Sequence, residues 1–213
     1  MESYLKDPDA IYARSFAIVR EQAALAGVSC ELEPVAVRLI HACGMPDILD
    51  DLEVSDRFVA QAKAAIASGA PILCDCEMVA SGITRRFLPD ATDVIVTLND
   101  PQVPALADRL ATTRSAAAVE LWRERMDGAV VAVGNAPTTL FRCLEIIAGD
   151  GPRPAAIIGC PVGFVGAAES KAALARAPGG VPFLAVHGTR GGSAMASSVV
   201  NALAIAAGRD GTS

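Results

Sequence analysis

The sequence predicts a three-layer, doubly wound α/β fold in which a mainly parallel five-stranded sheet follows an N-terminal helical extension. Three observations carry this reading. Five short segments are apolar nearly throughout, stretches of helical length separate them, and before residue 70 only helical spacing is visible. Strands covered on both faces read as continuous apolar runs, whereas a strand with one wet face alternates.

The helical extension comes first. Residues 9–26 set Ile11, Phe16, Ile18, Val19 and Leu25 at near-helical spacing. Residues 34–43 form a second helix, with Pro34 suited to its first position and Gly44 to the left-handed position after its end. A third covers 55–69, with Ser55 or Asp56 near its start and Gly69 at its close. The apolar runs at 71–75, 93–98, 129–135, 155–161 and 182–188 are the five strands. Helices at 101–112, 115–126, 137–148, 167–177 and 193–207 lie between and after them. Right-handed crossovers leave few ways to order such strands, and the expected one is flavodoxin-like. The chain is therefore read as one α/β domain over 1–213, helical over 1–69, with five βα units over 70–208 and a short polar tail at 209–213.

Composition excludes several functions. A net charge of −6 argues against nucleic acid, which is bound by neutralising phosphates. No stretch reaches the roughly 18–20 apolar residues of a membrane span, and no basic-then-apolar leader opens the chain, so a cytoplasmic protein is expected. The six cysteines are scattered, with only Cys74 and Cys76 close, and no second Cys/His pair stands at metal-ligand spacing. Neither a disulfide framework nor a metal site is expected. Of 18 basic residues 15 are arginine, whose planar fork suits carboxylates, although base composition of the genome also accounts for that bias.

Ligands of such sheets bind beyond the carboxyl ends of the strands. Those positions here are Asp75 to Glu77, Asn99-Asp100, Gly134-Asn135, Gly159 to Gly163 and His187 to Gly192, and their Gly-rich turns make a ready anion site. His41 and His187 are the chain's two histidines, hence its two candidates for a group titrating near neutral pH. A serine-hydrolase reading would combine Ser193, His187 and Asp75, but GGSAM lacks the second glycine of a nucleophile elbow. Neither G-x-G-x-x-G nor a Walker motif is present, so nucleotide sites are not expected. Arg14, Arg38, Arg85, Arg86, Arg114 and Arg190 fall at helix faces or junctions around these turns, and together suggest a positive pocket for a polycarboxylate.

Seven segments then resemble one family, in order: AIYARSFAIVR (10–20), VRLIHACG (37–44), GAPILCDCEMVASGITR (69–85), TTRSAAA (112–118), VGNAPTTLF (133–141), GCPVGFVGAAESK (159–171) and GGSAMASSVVNAL (191–203). They are similar to the precorrin-8X methylmutases, or precorrin isomerases, of cobalamin biosynthesis. The resemblance implies an isomerase that moves a methyl group from carbon 11 to carbon 12 of a tetrapyrrole, giving hydrogenobyrinate, with no redox or metal cofactor. It implies that His41 is the proton donor and acceptor and that Ser15 and Arg38 contact the substrate. Thr84, Arg114, Asn135 and Arg190 are weaker matches for substrate contacts. It also implies a homodimer, and the 82–101 stretch looks more like the form acting on metal-free precorrin than the form acting on its cobalt complex. A non-catalytic tetrapyrrole carrier would show the same binding residues but would need no acid/base group at His41.

Overall fold

The structure is a computed structural model that describes residues 4–210; the last residues of the polar tail, 211–213, lie outside it. One sheet of six strands runs in the order β1-β6-β5-β4-β2-β3. Its members are β1 Leu52–Val54, β2 Ile72–Cys74, β3 Val94–Val96, β4 Val130–Val133, β5 Ala156–Gly159 and β6 Phe183–Val186. The last five are parallel neighbours and match the five expected strands. Counted among themselves they follow the order 2-1-3-4-5, the flavodoxin-like order.

The five parallel strands feed both faces of the sheet. Ile72, Cys74, Val130, Ala132, Ile158, Leu184 and Val186 enter one core, with α2 Glu33–Cys43, α3 Phe58–Ala67, α4 Glu77–Gly82 and α9 Ser193–Asp210 packed on it. Leu73, Val131, Val133, Ile157, Phe183 and Ala185 enter the other, under α7 Pro137–Ala148 and α8 Ala167–Arg176. That side also carries α5 Val103–Leu110 and α6 Arg114–Val119, which pack on one another. The period-two alternation is present, but both sets are apolar because both faces are covered. α1 Pro8–Gln22 lies outside this body against α2.

Three expectations need correction. The sheet has a sixth strand, β1, antiparallel to β6 with Leu52 opposite Val186. Three residues at a sheet edge are too short for any periodicity to register. Ser55 does not start a helix; its hydroxyl accepts from the Phe183 N–H at 2.7 Å and donates to the Phe183 carbonyl at 3.2 Å, fastening β1 to β6. The third helix begins at Phe58 as a result. The short helix α4 was also unforeseen. By contrast Gly44 ends α2 with φ 69°, its N–H reaching the Ile40 carbonyl, as the sequence requires.

Two buried charged groups shape the strand-end edge. Asp75, 3% exposed, follows β2 and accepts from the Gly134, Asn135 and Ala136 N–H groups at 3.0, 2.8 and 2.7 Å. Burial raises its carboxyl pKa, while the three amides pull it down. The expected anion site at the start of α7 is thus occupied by the protein's own carboxylate. Beside it, a Cβ on Gly134 would lie 2.8 Å from the Ser193 Cα, so only glycine lets α9 approach the end of β4.

Lys171 is fully buried, and its ammonium donates to the Pro161 and Arg190 carbonyls at 2.9 and 2.7 Å, tying the loops that follow β5 and β6. Burial lowers its pKa to about 8. A base that holds its proton more weakly when folded costs stability below that pH. The contribution of Lys171 to stability therefore rises with pH between about 8 and the ordinary lysine value of ~10.4, by at most ~1.4 kcal/mol per unit, while the buried thiols of Cys74, Cys143 and Cys160, whose pKa values burial raises, contribute in the opposite direction. Lys171→Met should remove that contribution, so that the gap between variant and wild-type urea midpoints changes with pH across the window; a gap that stays constant would exclude Lys171 as a titrating group there.

Candidate active site

A cavity of about 740 Å³ opens between α1, α2, α4, α9 and the turn that follows α4. His41 stands in its wall in the last turn of α2. Its position is set by α1, where Tyr12, Ser15 and Phe16 share one face by their i, i+3, i+4 spacing. The Ser15 hydroxyl lies 2.8 Å from Nδ1 of His41. The Tyr12 ring tilts over the imidazole at 5.5 Å and the Phe16 ring meets it edge-on at 5.3 Å. The ring is thus held on three sides by one helix, and Nε2 remains for a ligand.

The Ser15 contact occupies Nδ1 and leaves Nε2 as the nitrogen for proton exchange. When the hydroxyl donates to Nδ1, the proton of a neutral imidazole is on Nε2. In the imidazolium both nitrogens carry protons and the hydroxyl accepts. With the hydroxyl accepting from Nδ1–H, the imidazolium can release its Nε2 proton and the neutral ring can take it back at the same nitrogen, whereas the tautomer to which the hydroxyl donates keeps Nε2–H as a hydrogen-bond donor only.

Arg38 and Arg86 bring positive charge to the cavity, and Asp9 lines the same space. The Arg38 guanidinium lies over the Phe16 ring at 5.3 Å and that of Arg86 over the Phe87 ring at 5.1 Å. Stacking on a ring orients each fork before a ligand arrives. Thr84 lines the cavity from the turn after α4, and Ser193, Ser197 and Asn201 do so from successive turns of α9. The remaining wall is apolar, from Ala42, Met78, Phe87 and Ala194. Among the described residues no group of His, Cys, Asp and Glu is gathered for a metal ion.

Of the residues singled out from sequence, His41, Arg38, Thr84, Arg86 and Ser193 share this cavity, and Ser15 touches it through His41. The others are placed elsewhere. Arg114, at the start of α6, donates to the Leu98 carbonyl at 3.1 Å. Asn135 gives its backbone N–H to Asp75. Arg190 spans Asp51 and Asp47, both at 2.7 Å, fastening the loop before α9 to the segment before β1. The Ser193, His187, Asp75 set is not a triad. Ser193 faces the Cys76 sulfur at 3.5 Å, His187 pairs with Glu53 at 2.6 Å, and Asp75 is spent on backbone amides. Sequence reasoning missed Tyr12 and Asn201. The spacing of Tyr12 to Ser15 and Phe16 was a usable signal; nothing local marks Asn201.

A sequence model of the precorrin-8X methylmutase family matches residues 10–206. The chain belongs to that family. The precorrin-8X methylmutase of Pseudomonas aeruginosa is 57% identical to it over 96% of this chain and 98% of that protein. The Sinorhizobium precorrin-8X methylmutase is 55% identical over 94% and 96%. The cobalt-precorrin-8 methylmutase of Salmonella typhimurium is more distant, 36% identical over 94% and 96%. The crystal structure of the precorrin-8X methylmutase from Thermus thermophilus superposes with a TM-score of 0.85 at 38% identity, covering 95% of this chain and 99% of that one. Methylmutases of this family are isomerases, and the fold expected from sequence is the fold of the family. Among the described residues no helix is long and apolar enough to cross a membrane.

Proposed function

We propose that this chain catalyses the methyl shift from carbon 11 to carbon 12 of precorrin-8X, giving hydrogenobyrinate, with His41 as the acid/base group. The observation that carries the reading is the seating of His41 in the wall of a large, partly apolar cavity, with one nitrogen engaged by Ser15 and the other left for a ligand. A proton given from Nε2 to the conjugated ring system lowers the barrier to migration, and its return to the same nitrogen fixes the product tautomer. The apolar wall supports burial of a macrocycle, and the stacked Arg38 and Arg86 support its carboxylates. Higher identity to the relatives named for metal-free precorrin supports that substrate over the cobalt complex. Incubation with precorrin-8X, followed by visible absorption, tests the reading. Appearance of the corrin chromophore without added metal or nucleotide is expected, and none with either precorrin would sink it.

The proposed ligand contacts around His41 are Ser15, Arg38 and Thr84, to which the cavity adds Tyr12 and Arg86. Arg114, Asn135 and Arg190 rest on the resemblance, and a role for them requires a ligand reaching along the strand-end edge. A homodimer is likewise proposed, supported by the outward apolar residues Leu5, Ile11 and Ile18 of the N-terminal segment and by Phe164 and Val165. Sedimentation velocity decides it. All six cysteines are free, which supports a reducing, cytoplasmic setting.

Product affinity should depend on the two arginines. Charge-assisted hydrogen bonds contribute about 1.5–3 kcal/mol each, so Arg38→Ala and Arg86→Ala should each weaken hydrogenobyrinate binding about 10–100-fold. Titration calorimetry at two salt concentrations measures it. Unchanged affinity in both variants, with no salt dependence, would remove the carboxylate argument.

A further inference from the structure

One side chain of α9 is fully committed to the backbone of the cavity wall. The Asn201 carboxamide accepts the Thr84 N–H at Oδ1, 2.8 Å, and donates from Nδ2 to the Gly82 carbonyl at 2.9 Å. Its two partners are a donor and an acceptor, so the orientation of the amide is determined. Between those two contacts the chain leaves α4, buries Ile83 and turns toward Thr84, Arg85 and Arg86. One turn earlier on α9, Ser197 closes on the same point from the other side, since a Cβ on Gly82 would meet its hydroxyl. One turn earlier again, Ser193 meets Cys76 just before α4. Positions 193, 197 and 201 are one face of α9, and that face follows α4 from its start to the turn beyond its end.

We infer that Asn201 is a positioning residue: its carboxamide clamps the Gly82–Thr84 turn and so holds Thr84 and Arg86 at the ligand. The inference rests on the assignment of this cavity to the substrate. Without the clamp two backbone groups lose their partners, and the turn keeps only the burial of Ile83, the Ser197 contact at Gly82 and the packing of Phe87 and Leu88 on the core. The arginine that meets a carboxylate then swings on a loose stem, while His41, held from α1 on the opposite wall, is untouched. Loss of the clamp should therefore weaken substrate capture and leave proton transfer intact.

The test compares Asn201→Leu, which keeps the volume, and Asn201→Ala, which avoids overpacking, with the wild-type enzyme. Expected is an increase in KM for precorrin-8X of about tenfold, with kcat changed far less. The pH dependence of kcat should keep its midpoint, and amide exchange over residues 82–88 should accelerate while the sheet stays protected. A residue that merely stabilised the fold would lower the yield of native enzyme and leave KM where it was; that result overturns the proposal, as does unchanged exchange at 82–88. Arg86→Ala separates the two levels. If Arg86→Ala weakens hydrogenobyrinate binding and neither Asn201 variant does, the clamp alone is wrong. If all three bind as wild type, the cavity assignment falls and takes the clamp with it.

Discussion

Replacing His41 with alanine is expected to lower turnover by about 10²–10⁴-fold while leaving the corrin product bound, because a single positioned acid/base group contributes that much. The imidazole is exposed on the helix surface and anchors little of the core, so the variant should fold. Its removal takes the only histidine that shares the cavity with Arg38 and Arg86. His187 provides the contrast. It is paired with Glu53 at the β1–β6 edge, and His187→Ala should leave turnover within a few-fold of wild type. Single-turnover rates read against product affinity separate chemistry from binding. Wild-type turnover in the His41 variant would leave a protein that binds tetrapyrroles without needing a proton donor, which is the carrier reading. An equal loss in the His187 variant would place the chemistry at the other edge of the sheet.

Asp75→Ala should be the most damaging change to the fold, costing about 3–5 kcal/mol in urea denaturation, a large part of a domain's usual margin. The substitution strands three N–H groups at the start of α7, one of them at the buried Gly134, and leaves a void at the end of β2. A helix N-cap of one bond is worth about 1 kcal/mol, and this carboxylate makes three. Asp75→Asn keeps the volume but turns an amide donor toward the same donors, so it should recover little. If instead the alanine variant loses less than about 1 kcal/mol, water has replaced the carboxylate and the turn is not dry.

How far the sequence reveals this molecule depends on how local each signal is. The five parallel strands were legible because burial on both faces writes itself as runs such as VVAV, and their order followed from crossover handedness. β1 was not, because its three residues belong to the sheet only through partners some 130 positions away at β6. The site divides in the same way. The helical spacing of Tyr12, Ser15 and Phe16 is local, and His41 ends a helix whose limits Pro34 and Gly44 announce. The ion pairs of Arg190 were not legible, because nothing near it in the sequence shows that Asp47 and Asp51 stand opposite. Asp75 looked like the rim of an anion site and turned out to be the anion. Asn201 sits in an apolar helix and acts on a turn well over a hundred residues earlier.

Half of the surroundings of His41 come from a helix that the fold barely holds. Only Val19 of α1 is buried, and among the described residues its polar ties to α2, beyond its aromatic edge, include the Ser15–His41 hydrogen bond and one surface pair, Arg20 with Glu33 at 2.8 Å, of a kind worth under about 1 kcal/mol. α1 enters the main core through Val19 and Phe16 alone, so foldedness and competence can be measured as two equilibria in this chain. With so little of it buried, α1 is expected to undock at a lower cost than global unfolding, which amide exchange over residues 8–22 would measure. An undocked population would look native to circular dichroism and calorimetry, yet its imidazole would have lost its hydroxyl partner and both aromatic walls together. Anything that settles on the outer face of α1, whether the macrocycle itself or a second protein surface, therefore works as a switch on the acid/base group without touching it.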